Sequence, residues 1–198
     1  MYSIPTSVCL AMVALVVLLV LPAAAGKEKP NAAQAPDTQG KVVSHSFFGG
    51  VEYQKQQQLT GPLPAGGRLV SEIRNGSITV TGRAEDGCDV AATITAKASS
   101  EKRAAELAEQ VKIALIPQGD QVRVDVQEPT TSGRESLRVD LDIRVPRRTS
   151  TDLHTRNGRI RLDGLEGNAV CRTANGQIDL KSVAGRVELQ TDNGAINA

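Results

Sequence analysis

The segments RNGRIRL (156–162), ANGQIDL (174–180) and DNGAINA (192–198) are copies of one unit, so Asn157-Gly158, Asn175-Gly176 and Asn193-Gly194 recur every 18 residues. A unit this short has too little apolar surface to fold alone and must stack on its neighbours. Within each unit apolar and polar residues alternate, and Gly167 and Gly185 mark a half-repeat, so one period holds two short strands and two corners. The expected fold is mainly β, a β-solenoid or β-helix-like stack of short strands with 18-residue coils. Longer amphipathic strands and one short helix are expected to precede the stack.

Aligning the half-units assigns faces. Ile160, Leu162, Ala169, Cys171, Ile178, Leu180, Val187, Leu189 and Ile196 fall in the inward phase. Outward, Arg161 should lie against Asp179 and Asn197, Arg159 against Gln177, Asn168 against Arg186 and Val170 against Glu188, each pair one coil apart. The Asn-Gly pairs suit corners that need positive φ, and Asn157, Asn175 and Asn193 can stack as an amide ladder. Asn75-Gly76, between RLVSEI (68–73) and SITVTG (77–82), reads either as a hairpin turn or as the same kind of corner. Asn75-Gly76-Ser77 also spells a glycosylation acceptor. Because Asn-Gly recurs at 157, 175 and 193 without that serine, a structural corner explains it better.

Residues 8–25 are apolar and uncharged, ending in Pro22 and three alanines. That pattern predicts a signal peptide over 1–25 and an exported product, periplasmic or extracellular. The segment before the run lacks Lys and Arg, so membrane attachment follows if cleavage does not occur. Polar residues 26–50 read as a flexible spacer, and 51–198 as the folded domain, with coil repeats clearest at 151–198. The last unit stops at Ala198 in mid-repeat, which predicts that the natural chain continues.

Lys plus Arg number 23 against 22 Asp plus Glu, and no basic stretch is interleaved with aromatics, so a nucleic-acid partner is not expected. Trp is absent, and Phe47, Phe48 and Tyr53 are the aromatics outside the leader. Cys88 and Cys171, in an exported chain, are either two buried thiols or one disulfide. No metal-ligand spacing or cofactor motif is present. Ser44-His45-Ser46 lacks an acid to orient the histidine.

Two strands and a helix stand out. LRVDLDIRV (137–145) buries Leu137, Val139, Leu141, Ile143 and Val145, and QVRVDVQ (121–127) buries Val122, Val124 and Val126. Asp140 and Asp142 share a face with Arg138 and Arg144, which predicts cross-strand ion pairing on a wet surface, not a catalytic carboxylate pair. SEKRAAELAEQV (100–111) switches to a helical period with Ser100 as its cap.

The order of these pieces resembles the bacterial adhesin-like β-strand-repeat domain of unknown function, a relative of the auto-transporter adhesin head domain. The residues carrying the resemblance are SEIRNGSITVTG (71–82), the helix after DVAATITAKAS, the strand ending IRVP (143–146) and the Asn-Gly-x-Ile repeats from 157. The resemblance spans roughly 66–198 and implies an exported or membrane-tethered envelope protein with no defined catalytic residues. The expected function is therefore a non-catalytic envelope domain that presents its coil surface to an envelope protein or to a cell-wall or surface polymer. The alternatives are a polysaccharide-acting β-helix enzyme and a scaffold or sensor module of envelope signalling.

Overall fold

A computed structural model describes residues 37–45 and 50–198, the first segment by its backbone. The signal peptide assigned to 1–25, the spacer at 26–36 and residues 46–49 lie outside the described residues. Residues 37–45, read as spacer, instead form a strand, β1 (Asp37–His45), antiparallel to β2 (Val51–Gly61). Backbone pairing along a sheet edge makes few demands on side chains, so the polar composition there concealed it.

Three two-strand rungs come from the repeats: β9 (Ser150–Asn157) with β10 (Ile160–Asp163), β11 (Ala169–Asn175) with β12 (Ile178–Lys181), and β13 (Val187–Asn193) with β14 (Ile196–Asn197). A fourth rung begins the stack, β3 (Arg68–Asn75) with β4 (Ile78–Arg83). Asn75-Gly76 is thus a corner between two sheets, not a hairpin. β3 pairs in parallel with β9, and β4 with β10. The same parallel pairing links the later rungs at the 18-residue offset.

The longer strands do not all precede the stack; most lie in an insertion between its first and second rungs. β5 (Cys88–Ala98), α1 (Glu101–Gln110), β6 (Lys112–Gln118), β7 (Gln121–Gln127) and β8 (Ser136–Pro146) fill it. The result is an eight-stranded sheet, β1-β2-β5-β8-β4-β10-β12-β14, facing a six-stranded sheet, β13-β11-β9-β3-β7-β6. β8 runs parallel to β4 and antiparallel to β5, and so joins the rungs to the meander.

Alternation in the strands aims one side chain in two at the space between the sheets. Leu69, Ile78, Val80, Ile143, Leu153, Ile160, Leu162 and Ile178 are fully buried there. Val122 and Val124 are buried, while Val126 is partly so, because β7 pairs with β3 only as far as Ser71. Ser100 caps α1 by accepting from Arg103 N at 3.3 Å, and Ala104, Leu107 and Ala108 face the sheet. The helix also brings Glu109 to buried Lys55, 2.8 Å away. Val187 and Ile196, in the inward phase, are 38% and 44% exposed. Their rung has a neighbour on one side only among the described residues, so that flank is not covered.

The corners are the tightest part of the stack. Gly76 N donates to Asn157 O, Gly158 N to Asn175 O and Gly176 N to Asn193 O, each at 2.9 Å. Positive φ was expected at every Asn-Gly corner, but of these only Gly76 (+134°) and Gly158 (+153°) have it. What all four glycines share is close backbone approach. A Cβ on Gly158, Gly176 or Gly194 would overlap the carbonyl oxygen of the preceding corner glycine, and one on Gly76 would overlap Val139 O of β8. Gly176→Ala, despite ordinary φ, is expected to cost about 3 kcal/mol in urea denaturation by forcing rungs apart. Gly133→Ala, in open space with φ +63°, should cost about 1 kcal/mol. Equal or reversed losses would contradict the stacking argument.

Candidate functional site

At each corner two side-chain ladders flank the stacked glycines. Asn157 Nδ2 donates to Asn75 Oδ1 at 2.8 Å, Asn175 to Asn157 at 2.8 Å and Asn193 to Asn175 at 3.0 Å. Inside the corner, Thr155, Thr173 and Thr191 donate their hydroxyls to the carbonyls of Gly76, Gly158 and Gly176 at 3.5, 3.3 and 3.0 Å. The first rung carries Ile73 at this position, where no earlier rung offers a corner carbonyl. The threonines were missed in the sequence, although Thr-x-Asn-Gly is visible three times at the 18-residue spacing.

β8 closes the first corner. Ser77 N and Oγ both donate to Asp140 Oδ1, at 2.8 and 2.6 Å, while Arg138 holds the same carboxylate from two residues away. The ion pair expected across strands is therefore made within one strand, and Asp140 is half-buried over a corner. Asp142 stays exposed, in register with Ala91 and Thr79. Burial pushes the Asp140 carboxyl up, but the hydrogen bonds from Arg138 and Ser77 outweigh it and hold it below the ordinary range.

Cys88 and Cys171 are free and buried, so the disulfide reading is corrected. Both point inward, but Cys88 is on β5 in the larger sheet and Cys171 on β11 in the smaller. β5 and β12, the partner of β11 in its rung, stand four places apart in the larger sheet, roughly 19 Å at ordinary strand spacing. A disulfide needs Cα atoms within about 7 Å. Burial, the dominant cause, pushes both thiols up to about 12.

The two outer walls differ. On the larger sheet Arg159 donates to Gln177 (3.0 Å), Gln177 to Asp179 (2.7 Å) and Asn197 to Asp179 (2.8 Å), a self-satisfied polar strip. Arg161 is in register with Asp179, but Arg159 makes the ion pair, at 3.4 Å. On the smaller sheet Val170 is in register with Glu188, and Asn168 Oδ1 accepts from Arg186 N at 3.1 Å. Arg68 there bonds Asp152 (2.6 Å) and Arg172 bonds Glu188 (2.5 Å). His154 Nε2 lies 3.2 Å from both Asp152 Oδ1 and Arg172 Nη1. The register neighbours of His154 are Glu72 and Arg172.

This wall also holds two adjoining depressions that share Glu72 and Arg74. One, about 380 Å³, opens where β7 diverges from β3, toward Arg123 and Asp125. The other, about 430 Å³, lies over Ala174, with Arg156 and Asp192 beside it. Among the described residues no group of three or more His, Cys, Asp or Glu could hold a metal.

Two measurements check this electrostatic and thiol chemistry. A carboxyl with a depressed pKa adds stability above its unfolded value, near pH 4, and loses it as pH falls through the folded value. The Tm gap between wild type and Asp140→Asn should therefore be widest above about pH 5 and narrow as pH falls below about 4; a gap independent of pH would contradict the role of Asp140. Alkylation of unreduced protein should label Cys88 and Cys171 only after unfolding. Resistance of both in denaturant would restore the disulfide.

No family model and no curated protein matches the chain. Among solved structures it is similar to a candidate cell adhesion protein from Clostridium sporogenes, at 12% identity and a TM-score of 0.44, over 82% of this chain and 98% of that one. It is also similar to a candidate adhesin from Bacteroides fragilis, at 6% identity and a TM-score of 0.28, over 72% of this chain and 97% of that one.

Proposed function

We propose that this chain is a non-catalytic, exported envelope domain whose rungs form a β-solenoid, and that the outer wall of the smaller sheet binds an envelope protein or surface polymer. One observation carries the reading. Along β10, β12 and β14 the larger sheet pairs Arg159, Gln177, Asp179 and Asn197 among themselves, and over β2, β5 and β8 it carries a depression of about 290 Å³. The smaller sheet instead keeps two adjoining depressions of about 380 and 430 Å³, floored by strands and rimmed by charge. In-register parallel strands make that wall regular, a form suited to an extended partner. Export rests on the apolar run at 8–25. No helix of the described residues is long and apolar enough to cross a membrane.

The test is a pull-down with the full chain as bait against envelope proteins and cell-wall polymer from its source. A specific partner should be retained. Ala174→Trp, which fills the larger depression, should cut retention by about tenfold, while Arg161→Gln on the other wall should leave it unchanged. Retention indifferent to Ala174→Trp would contradict the site, and turnover of an envelope glycan by the purified chain would contradict the non-catalytic reading.

A further inference from the structure

On the smaller sheet's wall, the outward row nearest the Asn-Gly corner reads Arg74, Arg156, Ala174, Asp192, one residue per rung. The flanking pairs Ile73 with Thr155 and Asn75 with Asn157 set Arg74 beside Arg156, about 4.8 Å away at the backbone. Both are exposed, and neither guanidinium makes an ion pair within 4 Å among the described residues, although the Glu128 carboxylate accepts from Arg74 N at 3.5 Å; Arg68 and Arg172 on the same wall are paired. Like charges directly opposite across strands repel. Glu128 offsets part of that repulsion from the Arg74 side; an anion that bridges both arginines would remove the rest, and the small side chain of Ala174 leaves room for one.

We propose that the depression over Ala174 is a subsite for an acidic sugar residue, its carboxylate held by Arg74 and Arg156. This rests on the reading of the wall as a binding surface and specifies what it binds. Planar guanidiniums match a carboxylate by paired N–H donors. Glu72, Asp192 and Gln190 stand at the rim and accept hydrogen bonds from sugar hydroxyls. Those same acids disfavour a doubly charged phosphate, which has no hydroxyl to give them. Tyr53, on β2, belongs to the other sheet, and the depression is lined by no Phe, Tyr or Trp, its one ring being the imidazole of His154. A neutral sugar thus finds no Phe, Tyr or Trp face to stack on. The volume of about 430 Å³ fits a ring and its substituents.

Isothermal titration of the full chain with oligogalacturonate at low salt tests this. Saturable binding is expected, weakened about tenfold or more in the double variant Arg74→Gln, Arg156→Gln and unchanged in Arg161→Gln. Neutral galactose oligomers should bind at least about tenfold more weakly than oligogalacturonate. The double variant should melt no lower than wild type, because it removes a repulsion; this separates lost binding from lost fold. Absence of oligogalacturonate binding, equal binding by the double variant, or polyphosphate binding as tight through the same arginines would overturn the subsite. If the pull-down retains a partner sensitive to Ala174→Trp while oligogalacturonate does not bind, the wall reading stands and the acidic-sugar subsite falls. If oligogalacturonate binds through Arg74 and Arg156 and nothing is retained, the subsite stands and the retained-partner reading falls.

Discussion

The close approach of one glycine corner to the next sets the geometry of the stack. Parallel strands alone allow a rung to slide by two residues and keep its faces. At the corner this freedom ends. The glycine N–H meets the next rung's carbonyl, the asparagine amide meets the next amide, and the threonine hydroxyl meets the previous glycine carbonyl. Each of these bonds is worth only about 1 kcal/mol. Together, with no space for a Cβ, they admit one register, and that register decides which charges sit side by side on the walls.

The insertion between the first and second rungs is the second determinant. A stack of rungs ends in open strand edges, which invite pairing with other chains. Here β8 lies along β4 and β7 along β3, so the first rung is covered by strands from its own chain. Val139 O takes the place that a preceding corner carbonyl would hold over Gly76, and Asp140 receives the Ser77 donors. The insertion brings α1 and the meander too, and gives the domain a wide core in place of a narrow column. On the smaller sheet the cover is partial, because β7 leaves β3 after Ser71, and that divergence opens one of the two depressions.

The β content, the helix at 101–110, the inward phase of the strands and the 18-residue register were legible from residue patterns, because alternation and spacing are local properties. The first rung was harder to place: Asn75 lies 82 residues from the asparagine it bonds, and no period marks that distance. Strand phase correctly placed Cys88 and Cys171 inside, but phase does not say which sheet a strand joins, so it left two buried thiols and a disulfide both open, and the thiols are what the structure has. The corner threonines could have been found, since Thr155, Thr173 and Thr191 keep the same spacing as the asparagines. The placement of Arg74 beside Arg156 could not, because it requires the long-range register first.

That register can be measured directly by cysteine cross-linking. Neighbouring strands bring Cα atoms to about 4.8 Å, within disulfide reach, while a skipped rung is roughly twice as far. The pair Asn75→Cys with Asn157→Cys should oxidise to an intramolecular disulfide, read as a mass loss of about 2 Da, and Asn75→Cys with Asn175→Cys should not. Cross-linking of the second pair but not the first, or of neither in folded protein, would contradict the stack on which this account depends.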